Sequence, residues 1–348
     1  MARIFLDTEK LKSPNSGLGQ FCAHLGTAVE KTAKEEIGFY LDQAHLPFFE
    51  TKNTVIWKRS HQYLGVPVKA DLWHSMHQEA KYFPKDKATK ILLTIHDLNF
   101  LDKYTGAKRE RKLKNLQKLV CKASGIAYIS EFTRKIAEQH LELTDVLQKV
   151  IYNGVSVSDA NPIKPEFVED GKGFIFSIGI IGEKKNFHVL IEAMKNLPDL
   201  NLYLCGNATS KYANKIRTLI TQHNLEKRVF LPGEISEAEK NWMFENCKAF
   251  VFPSLNEGFG LPVVEAMHFG KPLVISKLTS LPEIGGKEAT YLDNFLPEEI
   301  ANKIEFAIKN NTLEQQKALK NRASFFSWQK AAEQYLEMYS DLLRKTSD

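Results

Sequence analysis

Along the chain, short runs of consecutive apolar residues alternate with longer stretches whose apolar positions recur every three or four residues. This is the pattern of buried parallel strands covered by helices. Strands are predicted at residues 3–6, 54–57, 90–95, 125–129 and 149–152, with a helix from about Gln20 to Lys34 after the turn Asn15-Ser16-Gly17-Leu18-Gly19. A second series falls at 174–178, 201–205, 228–231, 249–252 and 272–275. From Pro297 onward the pattern is wholly helical, and Ala331, Ala332, Tyr335, Leu336 and Tyr339 share one helical face. Two such series predict an α/β protein of two Rossmann-like, doubly wound domains facing a central cleft, with ligand-binding residues in the loops that follow strands. The polar stretch 156–172, with Pro162 and Pro165, is the expected linker. It divides a domain at 1–155 from one at 173–325, leaving 326–348 as a C-terminal helix expected to cross back to the first domain.

Composition narrows this little: 43% hydrophobic and 26% charged residues in 348 exclude a disordered, collagenous or disulfide-scaffold chain. The longest nearly apolar stretch, 174–181, falls far short of the roughly 20 residues of a membrane span. Asp7 interrupts the N-terminus before a signal-like apolar region forms, so the chain is expected to be cytoplasmic. Cys22, Cys121, Cys205 and Cys247 are widely spaced and read as reduced, mostly buried thiols. Charge is more informative. The net +5 divides into +7 for residues 1–150, with 24 basic against 17 acidic side chains, and −2 for the rest. A basic half joined to a near-neutral half suggests domains that meet different partners.

The densest chemistry follows the predicted strand 249–252, in Pro253-Ser254-Leu255-Asn256-Glu257-Gly258-Phe259-Gly260-Leu261-Pro262-Val263-Val264-Glu265. Pro262 suits the first position of a helix, which places Glu257 in the loop and Glu265 in or just after the first turn. Glycines that admit close backbone approach and a free helix N-terminus favour an anion, while two carboxylates accept hydrogen bonds from hydroxyl groups. Sugars and riboses are the natural donors. A second loop, Gly179-Ile180-Ile181-Gly182-Glu183-Lys184-Lys185-Asn186, sets two lysines before a helix that Asn186 is expected to cap, a cost that an anionic ligand offsets.

In the first half, Gly17-Leu18-Gly19 approaches a dinucleotide fingerprint, but Cys22 stands in the third glycine's place and the turn starts well after the strand. It reads as a glycine loop bordering the cleft. His96-Asp97 ends the strand 90–95, placed for a ligand contact, whereas His74 and His77 lack a third metal ligand. Residues 108–122 hold seven basic side chains and one acid, with Leu113, Leu116 and Val120 on one helical face. Lys108, Arg109, Arg111 and Lys112 there are candidates for an anionic membrane surface or a lipid-linked acceptor. No aromatic platform accompanies them, so nucleic acid is not expected.

Together these motifs resemble the retaining glycosyltransferases of family 4, with the GT-B fold. The family's Glu-x7-Glu signature is matched by Glu257 and Glu265, and the Gly-Thr-x-x-x-Arg-Lys-Asn loop of its mannosyltransferase-like branch by residues 179–186. The likeness continues through His96-Asp97, Ser130-Glu131-Phe132-Thr133, Tyr152-Asn153-Gly154-Val155, Leu281-Pro282-Glu283-Ile284 and Phe326-Ser327-Trp328. The resemblance implies that Glu265 binds the ribose of a nucleotide-sugar donor. Glu257 with Gly258, Phe259, Gly260 and Leu261 would hold the sugar. Lys185, Lys184 and the Gly179 loop would meet the diphosphate, and His96 would lie beside the transferred sugar. Gly17, Leu18 and Gly19 would border donor phosphate or acceptor. Lys184 departs from the branch's Arg, which keeps charge but loses a planar fork, and Ile180 stands where other members carry a phosphate-binding Arg.

The implied activity is metal-independent, cofactor-free transfer of a hexose, with retention, to a glycan or lipid-linked acceptor of bacterial surface polysaccharide. The lysine loop leans toward GDP-mannose as donor, and a UDP-sugar is the alternative. A nucleotide-sugar epimerase and a non-catalytic partner subunit are the rival readings. The expected location is cytoplasmic, with peripheral contact at the inner face of the membrane.

Overall fold

A computed structural model of the protein describes residues 1–14, 16–143 and 146–344. Asn15 of the expected first turn and residues 345–348 of the expected C-terminal helix lie outside the described residues. The chain forms two compact units, Met1–Gly154 with Phe326–Asp348, and Val155–Phe325.

The first unit is built on seven strands: β1 (Arg3–Asp7), β2 (Glu36–Leu41), β3 (Thr54–Ile56), β4 (Leu72–Ser75), β5 (Lys90–Ile95), β6 (Gly125–Tyr128) and β7 (Leu147–Val150). Their spatial order is β3-β2-β1-β4-β5-β6-β7, and every pairing is parallel. Both faces are covered, which is why the central strands are apolar runs rather than alternating ones. On one face Phe21, Leu25 and Val29 of the helix Gly17–Thr32 pack with Ala331, Ala332, Tyr335 and Tyr339 of the helix Trp328–Arg344 over Ile4 and Leu6. On the other, Leu116 and Val120 of the helix Gly106–Val120 cover Leu93, Ile95, Ile126 and Tyr128. The C-terminal helix also makes a buried polar contact with the sheet. His74 Nδ1 lies 2.7 Å from Tyr339 Oη, His74 Nε2 2.7 Å from Thr94 Oγ1, and Thr94 Oγ1 3.1 Å from Tyr335 Oη. At Gly154 a Cβ would sit 2.2 Å from the backbone nitrogen of Trp328, so only glycine permits this approach.

The second unit holds β8 (Gly173–Ile178), β9 (Leu200–Cys205), β10 (Val229–Gly233), β11 (Ala249–Phe252), β12 (Leu273–Ser276) and β13 (Thr290–Leu292). Their order is β10-β9-β8-β11-β12-β13, again all parallel. Strand order therefore reverses between β1 and β4 in one sheet and between β8 and β11 in the other. At such switch points the loops leaving adjacent strands diverge to opposite faces and open a crevice at the carboxyl ends.

Several expectations need correction. β2, β4 and β13 were not expected. The first helix begins at Gly17, because Ser16 caps it by accepting a hydrogen bond from Gly19 N at 3.1 Å. Part of the stretch expected as a linker is fastened to the second unit. Asn241 Nδ2 donates to Ser158 O at 2.8 Å and Ala160 O at 2.9 Å, and Ile163 N donates to Ala238 O at 3.1 Å. Cys22, Cys205 and Cys247 are buried and Cys121 is exposed, none of them in a disulfide. Among the described residues no helix is long and apolar enough to cross a membrane.

Candidate active site in the second unit

The switch point of the second sheet brings together two loops that are 72 residues apart in sequence. β8 ends at Ile178, and Gly179 turns the chain with φ 147°, leaving Lys184 and Lys185 in a single 3-10 turn, Glu183–Lys185. β11 ends at Phe252, and the loop from Pro253 to Gly260 leads into the helix Leu261–His268. Gly260 adopts φ 106°, and a Cβ there would lie 2.8 Å from Leu281, so this helix entry requires glycine. Pro262 occupies the second helical position rather than the first. Asn186 is not an N-cap: at φ 58° it closes the 3-10 turn, and the helix His188–Ala193 starts two residues later.

Lys185 Nζ donates to Glu257 Oε1 at 2.6 Å, with both residues more than nine-tenths buried. Ser254 Oγ lies 2.6 Å from the same oxygen, and Lys184 Nζ is 4.0 Å from Glu257 Oε2. Burial pushes the Glu257 carboxyl up, but Lys185, Lys184 and the Ser254 hydroxyl together outweigh it and hold the group below its ordinary value. Burial, reinforced by Lys184, draws the Lys185 ammonium below its usual range against the pull of Glu257. The site is thus an ion pair with a second, half-exposed cation beside it. Lys185 also stands 4.4 Å from the centre of the Phe252 ring, a cation–π contact. The loop that carries Glu257 is pinned by Ser280 Oγ, 3.0 Å from the carbonyls of both Glu257 and Phe259, and by Thr279 Oγ1, which accepts from Glu257 N at 3.1 Å. Phe259 is buried as part of this scaffold. Ile180, by contrast, is 71% exposed at the mouth of the β8 loop.

Glu265 lies in the second turn of its helix and is held apart from Glu257. Its Oε1 accepts from Lys240 Nζ at 2.8 Å, and Lys240 also reaches Glu237 at 2.9 Å. Burial, with a smaller push from Glu237, raises the Glu265 carboxyl even though Lys240 opposes it. Lys240 itself is drawn up, because its two carboxylates outweigh its burial.

The remaining expected residues lie in the first unit. His96, at the end of β5, is buried. Its Nε2 donates to Met76 O at 2.8 Å, its backbone nitrogen donates to Gln78 Oε1 at 3.1 Å, and its ring stands edge-on to Phe21 at 4.5 Å. Burial depresses it to about 4, so it is a neutral ring at physiological pH. Gly17, Leu18 and Gly19 open a helix, and a Cβ at Gly19 would lie 2.1 Å from Ser13 O. That glycine serves the packing of the preceding turn. Lys108, Arg109, Arg111 and Lys112 lie on the helix Gly106–Val120, which buries Leu116 and Val120; Lys108 and Arg111 are exposed, while Arg109 and Lys112 share the face of Leu116 and are partly buried. Lys108 Nζ sits 4.0 Å over the Tyr104 ring, and Lys112 pairs with Glu79 at 2.6 Å. Sequence reasoning missed Lys240, Ser254, Thr279 and Ser280. Ser254 directly follows a strand and was open to inspection. Lys240 has no local signal, since its partner is 25 residues away.

The two Rossmann-like units have the fold of GT-B glycosyltransferases. Residues 159–324, nearly the whole second unit, match the family Glycosyl transferases group 1. Relatives include the serotype-specific mannosyltransferase WbdA of Escherichia coli, 28% identical over 240 residues that cover 63% of this chain and 29% of WbdA. The chain therefore spans less than a third of that relative. O-antigen chain mannosyltransferase B of Escherichia coli is 22% identical over 379 residues, covering 97% of this chain and 99% of the relative. Among solved structures, Anabaena HepE in complex with UDP-glucose superposes with a TM-score of 0.75 at 19% identity, covering 98% of this chain and all of HepE. That likeness shows the fold.

Proposed function

We propose that the protein transfers a hexose from a nucleoside diphosphate sugar to a glycan or lipid-linked acceptor, with retention at the anomeric carbon. The observation that carries this reading is the buried Lys185–Glu257 pair with Lys184 beside it at the carboxyl end of the second sheet. The barrier to transfer is departure of a diphosphate while positive charge grows on the sugar ring. Lys185 and Lys184 are suited to stabilise the leaving phosphate oxygens, a role often filled by a metal ion. Glu257 then binds sugar hydroxyls and keeps Lys185 protonated despite its burial. Glu265, fixed by Lys240, accepts hydrogen bonds from ribose hydroxyls. The Glu257 carboxylate is engaged by Lys185 and Ser254, so it orients rather than attacks. The acceptor oxygen bonds to the anomeric carbon on the face the diphosphate leaves, and its proton passes to the departing phosphate oxygen.

The names of the Escherichia coli relatives favour mannose, and with it GDP-mannose as donor. The UDP-glucose held by HepE favours the second reading, a UDP-sugar. An epimerase would act without any acceptor, and a partner subunit would have no need of the paired charges. The basic helix Gly106–Val120 is proposed to rest on an anionic membrane surface at the cytoplasmic face. The deciding experiment incubates the chain with labelled GDP-mannose, UDP-glucose or UDP-N-acetylglucosamine, with and without lipid-linked saccharide, in excess chelator. Label moved to the acceptor supports the proposal. Conversion of donor alone favours the epimerase, and a strict need for divalent metal overturns the proposed cation role of Lys184 and Lys185.

A further inference from the structure

The first sheet has a switch point of its own, between β1 and β4, and a pocket of about 330 Å³ lies at the carboxyl ends there. Its size suits a small ligand. The turn Glu9–Lys12 after β1 supplies Glu9, Lys10 and Lys12, the chain after β3 supplies Trp57 and Arg59, and the chain after β4 supplies Glu79, Lys81 and Tyr82. Four cations thus face two carboxylates, and both carboxylates are already neutralised. Glu9 is paired with Lys12 and has Lys10 at 3.8 Å, while Glu79 is paired at 2.6 Å with Lys112 from outside the pocket. Arg59 and Lys81 make no ion pair among the described residues.

One wall is aromatic, with Trp57 and Tyr82 edge to face at 6.1 Å. Behind Glu9 lies His77, which is 1% exposed. Its Nδ1 accepts from Glu79 N at 3.2 Å, so the ring proton sits on Nε2, which has no hydrogen-bond partner and points to Glu9 Oε2 at 3.9 Å. Surplus positive charge, an aromatic face, and carboxylates backed by an unsatisfied imidazole describe a site for a sugar ring that carries an anion.

We propose that this pocket binds a saccharide bearing a phosphate or carboxylate group. Arg59 and Lys81 hold the anion, Trp57 lies against the ring, and Glu9 receives its hydroxyls. The binding stands on these residues alone; calling the bound saccharide the acceptor rests on the transferase reading above.

The test is ligand-observed NMR titration of the full chain with glucose 6-phosphate, glucuronate, glucose and inorganic phosphate, in the natural protein and in R59A/K81A. Both substituted side chains are exposed, so the fold is not at stake. The expected result is binding of glucose 6-phosphate, glucuronate or both, with glucose and phosphate at least about tenfold weaker and the variant losing about tenfold for the charged sugar. Which charged sugar binds separates phosphate from carboxylate as the preferred anion. Equal binding of glucose, equal binding of bare phosphate, no binding of either charged sugar, or an unaltered variant each overturns the proposal. Nucleotide-sugar binding is followed in the same samples. Its absence, with charged-sugar binding intact, breaks the transferase reading and leaves the pocket standing.

Discussion

The two sheets reverse their strand order at matching places, yet they treat the groups they bury there in opposite ways. At β8 and β11 the buried titratable residues are charged and paired: Lys185 with Glu257, and Lys240 with Glu265. Beside β1, β4 and β5, apart from Glu9, which pairs with Lys12, they are neutral. Burial pushes Asp7 up to about 8 and His74 down to about 3, holds His96 at about 4, and keeps His77 well below its usual value. A low-dielectric site admits an ion only when a partner accompanies it, and otherwise shifts the proton equilibrium. The second unit has thus invested in preformed charge suited to an anionic donor. The first keeps its paired charges at its pocket and leaves Asp7, His74, His77 and His96 behind it uncharged.

The largest expected effect breaks the charged side of this contrast. Lys185→Ala should lower turnover about 10²–10³-fold, the scale for losing one preorganised transition-state donor. Initial rates of label transfer from nucleotide sugar measure it, and an unchanged rate removes Lys185 from the chemistry. Glu265→Ala should weaken donor binding about tenfold to a hundredfold, the scale of hydrogen bonds to a charged group, with turnover at saturating donor much less affected. Calorimetric titration with GDP-mannose and UDP-glucose tests this, and a fall in turnover without a change in affinity contradicts a ribose role.

The neutral side predicts a stability profile. In the fold His74, His77 and His96 stay unprotonated, whereas the unfolded chain takes up their protons near pH 6.5, so stability falls as pH drops below that value. Asp7 acts in the opposite sense. It is protonated in the fold up to about pH 8 but ionises near 3.8 when unfolded, so its contribution is lost as pH rises through about 8. Three histidines outweigh one aspartate on the acid side, and the first unit should be most stable near pH 6.5. Each unmatched proton contributes about 1.4 kcal/mol per pH unit. Hydrogen exchange of β1, β4 and β5 amides across pH 5–9 should show this maximum, and Asp7→Asn should flatten the alkaline limb while steepening the acid one. A monotonic profile would remove the buried, neutral reading.

The smallest effect concerns the surface. Reversing Lys108, Arg109 and Arg111 to Glu should change the unfolding free energy by no more than about 1 kcal/mol while abolishing flotation with vesicles rich in phosphatidylglycerol. Equal flotation with neutral vesicles would remove the electrostatic basis of the contact.

The legible parts of the molecule were those with local signals. Strands 90–95 and 249–252 were read to the residue, being apolar runs bounded by polar turns. β4 was not, because Leu-Trp-His-Ser is four residues long and carries a histidine whose polarity is satisfied by Thr94 and Tyr339, 20 and 265 positions away. β13 is three residues long and offers no period. Glu257 and Lys185 could each be found from their own loop, but the contact between them depends on β8 and β11 being neighbours in the sheet. Asn186 was misread because its side chain suits both an N-cap and a left-handed turn, and the intervening Phe187 shifts the helix start. Lys240 was beyond reach for the same reason as β4: its role exists only in the assembled unit.

The helix Trp328–Arg344 has a consequence for the order in which the molecule is made. It completes the core of the first unit, yet it is synthesised after the whole of the second. On a ribosome the second unit, contiguous from Val155 to Phe325, has every residue it needs before the first does. Residues 1–154 must meanwhile wait with Phe21, Leu25 and Val29 uncovered, and a chain released early leaves that face open to aggregation or chaperones.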